Sequence, residues 1–133
     1  MHPLFSAKTH SDEPTFFIGK AAEITGASRK AIRHYEAIGL LPAPQRRGKY
    51  RVYSERQVFM IHMIKHAQSF GFSLDETREL VAETAKHKKF PLKFAIDFLE
   101  RKRTQLQQEI KNLRQMDKNL LDLKAQMNKM FSA

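Results

Sequence analysis

The sequence predicts a mainly α fold: a winged helix-turn-helix with a small β wing, a helical hairpin, and one long coiled-coil helix. Three observations carry this. Residues 18–53 read as helix, Gly-containing turn, second helix and basic hairpin, in that order. Two capping boxes follow, each opening an amphipathic segment. From Pro91 to Met130 no Gly or Pro interrupts the chain, and leucines recur every seven residues.

With 133 residues the chain has room for one small domain and one long extension, and a separate large catalytic domain is not expected. The 24 Lys and Arg against 14 Asp and Glu give a formal charge of +10 and point to a polyanionic partner. That excess is local. Residues 15–53 carry 8 basic against 2 acidic side chains, residues 54–85 carry 3 against 5, and residues 86–133 carry 12 against 5. Cysteine is absent, which removes disulfides and thiolate chemistry. No apolar run approaches the roughly 18 to 20 residues of a membrane span, and a cytoplasmic location is expected.

Residues 1–14 mix Pro, Ser, Thr, Asp and His without periodicity and are expected to form a flexible arm, with Leu4 and Phe5 as its only packing candidates. Thr15 to Ile18 is β-branched and aromatic, as in a short strand. Ile18, Ala21, Ala22 and Ile24 place apolar side chains on one side of a helix ending at Gly26, a left-handed C-cap. Ser28 is the N-cap of the next helix, whose apolar stripe is Ala31, Ile32, Tyr35 and Ile38 and which stops at Gly39. Its other faces carry Arg29, Lys30, Arg33 and His34 near the N-terminal half, the part of a recognition helix that meets bases and phosphates.

Pro42 and Pro44 keep the next segment extended. Gly48 then suits a tight turn, with Arg46, Arg47, Lys49 and Arg51 clustered around it. Alternation along 49–53 is expected to put Lys49, Arg51 and Tyr53 on one face and Tyr50 and Val52 on the other. The capping boxes Ser54–Gln57 and Ser73–Glu76 start two helices that should pack as a hairpin and steady the wing.

With these motifs in view, residues 16–84 resemble the DNA-binding domain of the MerR family of transcriptional regulators. The resemblance runs through IGKAAEITGASRKAIRHYEAIGLL, the wing GKYRVY and the segment QSFGFSLDETREL. It implies that Arg33 and Tyr35 contact DNA from the recognition helix, and Tyr50, Arg51 and Tyr53 from the wing. This chain differs from the common pattern at His34, where Tyr is usual, and at Lys49, inserted between Gly48 and Tyr50. The resemblance further implies a homodimer on an inverted-repeat promoter, bending and untwisting double-stranded DNA so that RNA polymerase engages it.

In the final segment, residues 86–133, Leu99, Leu106, Leu113, Leu120 and Met127 form the heptad line, with Ile96 and Ile110 in partner positions. Arg103, Asp117 and Lys124 occupy the remaining partner positions. Antiparallel pairing centred near Ile110 would bring Arg103 of one chain to Asp117 of the other.

No cofactor or metal site is expected. His62 and His66 have the i, i+4 spacing of a metal pair but no nearby Asp, Glu or Cys, and a structural role is favoured. Phe90, Leu92, Phe94 and Phe98 could line an apolar effector pocket, although plain core is the simpler reading, and the effector stays unassigned. An enzyme is not expected, because no nucleophile with its base, paired carboxylates or phosphate-binding Gly loop is present. The rival readings are an excisionase-like architectural DNA-binding factor and a basic helical RNA-binding or scaffold protein.

Overall fold

The computed structural model describes residues 14–132; the expected arm falls, apart from Pro14, outside the described residues. Two compact units divide near Phe94.

The first unit begins with β1 (Thr15–Phe17), which runs directly into α1 (Ile18–Thr25) and then α2 (Arg29–Ala37). The turn between the helices is built from local signals. Gly26 takes φ +78° and its N–H donates to the Ala22 carbonyl at 2.9 Å. The buried Thr25 hydroxyl donates to the Ala21 carbonyl at 2.8 Å and accepts the Ala27 N–H at 3.2 Å. Ser28 caps α2 by accepting the Ala31 N–H at 3.0 Å, worth about 1 kcal/mol of helix stability.

β2 (Gln45–Arg47) and β3 (Tyr50–Ser54) form the wing, and β1 adds on the other side of β3, giving the antiparallel order β1-β3-β2. Arg47 pairs with Tyr50, so the hairpin loop is the two residues Gly48 and Lys49. Gly48 has φ +64° while Lys49 stays at negative φ, the arrangement of a turn with Gly in its first central position. Lys49 therefore lies in the turn, not in the strand face expected for it.

α3 (Glu55–Ser69) and α4 (Leu74–Ala85) start at the two expected capping boxes, with both reciprocal bonds present in each. Core side chains Ala21, Ile32, Tyr35, Leu40, Leu41, Tyr53, Val58, Ile61, Ile64 and Val81 form one cluster that joins α1, α2, β3, α3 and α4. At the far end of α4, the Arg56 guanidinium in the first turn of α3 donates to the carbonyls of Thr84, His87 and Lys88. A cation there also complements the negative end of the helix dipole. His87 bonds the Glu83 carboxylate at 3.1 Å, and with Lys86 also beside it, that carboxyl is held below its usual range.

The second unit belongs to α5 (Leu92–Phe131), 40 residues and about 60 Å at 1.5 Å per residue. Ala95 and Phe98 are buried, whereas Ile96, Leu99, Leu106, Ile110, Leu113, Leu120 and Met127 are exposed. Amide pairs Gln108–Asn112 and Gln115–Asn119, each 3.0 Å, brace its surface. Arg103 bonds both oxygens of Glu100 on its own helix, at 2.9 and 3.2 Å.

Candidate nucleic-acid interface

The cap at Ser28 sets the rotation of α2. Ile32 and Tyr35 turn into the core, and this leaves Arg29, Lys30, Arg33 and His34 exposed along one face, continued by Ala37. The four cationic or titratable side chains occupy the first turn and a half, beside the positive end of the helix dipole.

Arg29 lies against the first turn of α1. A Cβ placed at Gly19 would come within 2.6 Å of its Nη2, so glycine there makes room for the guanidinium. The two helices of the motif thus share a positively charged corner.

The wing presents two different faces, because antiparallel partners share a face. Phe17, Arg47 and Tyr50 stand on one of them. The Phe17 and Tyr50 rings meet edge-on at 6.1 Å, Arg47 lies 5.9 Å over the Phe17 ring, and Arg47 donates to the Thr15 hydroxyl at 3.2 Å. The opposite face carries Arg46, Arg51 and Tyr53. Arg46, Arg47, Lys49 and Tyr50 are exposed; Arg46 is steadied by the Lys49 carbonyl at 3.4 Å.

Glu36 couples helix to wing. Its carboxylate, only 10% exposed, accepts the Arg51 Nε at 3.1 Å and the Tyr53 hydroxyl. Arg51 uses Nε here, and its side chain is 31% exposed. Burial and the neighbouring Glu36 push the Tyr53 phenol far above its ordinary range, with Arg51 and Arg33 opposing. Sequence reasoning did not assign Glu36, although it is the sole acidic residue between Glu23 and Glu55. An isolated carboxylate in so basic a stretch is the signal that was available.

Two residues expected to touch DNA are placed in the core instead. Tyr35 is 3% exposed, donates its hydroxyl to Gln68 Oε1 at 3.0 Å, and has its phenol raised by burial. Tyr53 is fully buried with its hydroxyl spent on Glu36. Apolar enclosure of the rings is the reason in both cases.

His62 and His66 stand ring to ring at 4.2 Å in a column that continues to Phe59 and Phe70. Phe59 also meets Phe90 edge-on at 5.3 Å, so Phe90 is used in packing. Among the described residues no group of three or more His, Cys, Asp or Glu side chains is placed to hold a metal ion. No helix among the described residues is long and apolar enough to cross a membrane.

Residues 16–84 match the profile of the MerR HTH family regulatory protein, and residues 60–123 match a profile described as MerR, DNA binding. The mercuric resistance operon regulatory protein of Bacillus cereus is 36% identical over 110 residues, spanning 82% of this chain and 83% of its own. The HTH-type transcriptional regulator CueR of Escherichia coli is 40% identical over 65 residues, 48% of each chain. Among solved structures, a lead(II)-bound transcription regulator from Ralstonia metallidurans superposes with TM-score 0.64 at 24% identity, over 83% of this chain and 86% of its own. At that identity the likeness concerns the fold. The N-terminal part of the Bacillus subtilis multidrug transporter activator gives TM-score 0.55 at 29% identity, over 80% of this chain and 98% of that one.

Proposed function

The chain belongs to the MerR family of DNA-binding transcriptional regulators, and on that premise we propose that it acts as a homodimer on an inverted-repeat promoter element. In this reading α2 enters the major groove, where Arg33 reads or positions base edges and Arg29, Lys30 and His34 meet the flanking phosphates. Arg46, Arg47, Lys49 and Arg51 grip the backbone from the wing, with Tyr50 beside them. Bending and untwisting of the promoter then lets RNA polymerase engage both of its elements. The protein works in the cytoplasm, where that promoter is.

The observation that carries this reading is the Glu36 bridge, which ties an exposed cationic helix face to an exposed cationic wing. A chance basic surface has no need of such a tie.

Several relatives are named for mercury or other heavy metals. The donor set here does not fit a thiolate site for a soft metal, because the chain contains no cysteine. A signal read through cysteine thiolates therefore does not fit this chain.

Genomic footprinting, followed by transcription in vitro, tests the assignment. A compact palindromic protection between promoter elements, lost in Arg33→Ala, is the expected result. Protection of irregular length without symmetry would instead favour an architectural factor, and preferential binding of structured RNA would favour an adaptor.

A further inference from the structure

α2, α3 and α4 each begin at a serine, Ser28, Ser54 and Ser73, which accepts a bond from its own first turn. α1 does not. Its N-cap is Phe17, an apolar residue of the kind disfavoured there, and the ring makes no cap bond. A local rule broken in this way points to a task outside the helix. Nor does Phe17 fill the core. Phe16 packs against the core cluster, while Phe17 stands on the opposite face of β1 and is 49% exposed.

The use of that ring is visible across the sheet. β3 lies between β1 and β2, yet Arg47 of β2 places its guanidinium 5.9 Å from the centre of the Phe17 ring and donates from Nη2 to the Thr15 hydroxyl at 3.2 Å. The side chain thus crosses over β3 on the outer face of the wing. Tyr50, the cross-strand partner of Arg47, meets the Phe17 ring edge-on at 6.1 Å on the same face. The neighbouring arginines are held otherwise. Arg51 faces the Glu36 carboxylate, which offsets its charge, and Arg46 reaches the Lys49 carbonyl at 3.4 Å, near the limit of a useful bond. Among the described residues the partners of Arg47 are neutral, a ring face and a hydroxyl. It is ordered without being neutralised.

We propose that β1 belongs to the DNA-binding apparatus, with Phe17 and Thr15 as positioning residues that hold the Arg47 guanidinium ready for a backbone phosphate. This rests on the wing contacts proposed above and singles out Arg47 among them. A long cationic side chain that is free in the unbound protein loses rotamer freedom when it grips a phosphate, whereas one already laid across a sheet has less to lose. Arg47 is exposed, so an anion reaches it from solvent. The bond to Thr15 uses one N–H of the guanidinium and leaves others for phosphate oxygens.

Binding of the full chain to a random-sequence duplex isolates phosphate contacts, and anisotropy across a salt series measures them. Arg47→Ala should weaken binding and flatten the salt dependence by about one phosphate. Phe17→Leu keeps an apolar side chain in the strand and the charge at position 47. It should weaken binding about three-fold with the salt dependence retained, since the phosphate is still met, but by a side chain that must first be ordered. Phe17→Tyr, which keeps the ring, should recover that loss. Thr15→Val, which keeps a β-branched residue and removes the acceptor, should weaken binding about two-fold. In an Arg47→Ala background neither Phe17→Leu nor Thr15→Val should have a further effect. Circular dichroism of each variant should match the parent; if Phe17→Leu does not fold, Thr15→Val and its cycle with Arg47→Ala carry the same test. A loss that persists without Arg47 would overturn the positioning role. So would parental binding by Phe17→Leu and Thr15→Val beside a weakened Arg47→Ala, and in that case the wing contacts themselves stand. Parental binding and salt dependence in Arg47→Ala would overturn the wing contact at that residue together with the role of β1, and a parent chain that does not bind duplex DNA would remove the functional reading as a whole.

Discussion

Glu36 and Arg51 are 15 residues apart in sequence, on α2 and β3, and their side chains meet at 3.1 Å in a partly enclosed site that also takes the Tyr53 hydroxyl. The wing is thereby fixed to the recognition helix by charge-assisted bonds, which are stronger than neutral ones. Glu36→Ala leaves a buried hydroxyl and a cation without their acceptor. Urea unfolding should show a loss of about 1 to 3 kcal/mol. Anisotropy titrations should show specific binding falling more than binding to random duplex, because phosphates are gripped by either pose and bases are not. Equal losses on both duplexes would mean that Glu36 serves the wing alone.

Gly19 and Arg29 give a test in which stability and binding part company. Alanine at position 19 should raise thermal stability slightly, by at most about 1 kcal/mol, since glycine is costly within a helix. The added methyl displaces the Arg29 guanidinium, and DNA affinity should fall with a salt dependence flatter by about one phosphate. Unchanged affinity would place the Arg29 contact elsewhere.

Tyr35→Phe separates core from interface. Removing the bond to Gln68 should cost about 1 kcal/mol in unfolding experiments and leave DNA affinity within about two-fold of the parent at every salt concentration. Arg33→Ala should do the reverse, with near-parental stability and about 1 to 3 kcal/mol less affinity for the specific site.

The phenols give a pH window. Folding raises the pKa of both Tyr35 and Tyr53 above 10, so the neutral form is favoured by the native state. Their contribution is fully present below the unfolded value and is lost as pH rises through the folded values. In a Tyr50→Phe background, absorbance at 295 nm should therefore rise only above pH 10, together with loss of helical circular dichroism. Ionisation of both phenols below that pH in a fully helical protein would contradict their burial.

The parts of the fold legible in the sequence were those whose causes are local. Ser28, Ser54 with Gln57, Ser73 with Glu76, and Gly26 each act within four residues, and the helices begin and end where these caps require. The basic face of α2 was legible for the same reason, being a matter of helical period. What escaped depends on distance in sequence. Whether an aromatic hydroxyl meets solvent or a partner is decided for Tyr35 by Gln68, 33 residues later, and for Tyr53 by Glu36, 17 residues earlier. Lys49 escaped because one residue decides whether the hairpin loop is counted as strand or turn.

Arg56 sits two residues beyond Ser54, the last residue of the wing strand, and holds the carbonyls where α4 gives way to the segment leading to α5. That segment, rich in lysine and lacking regular structure, has the composition of a slack tether. Three carbonyls on one guanidinium fasten its first residues to the start of α3 instead.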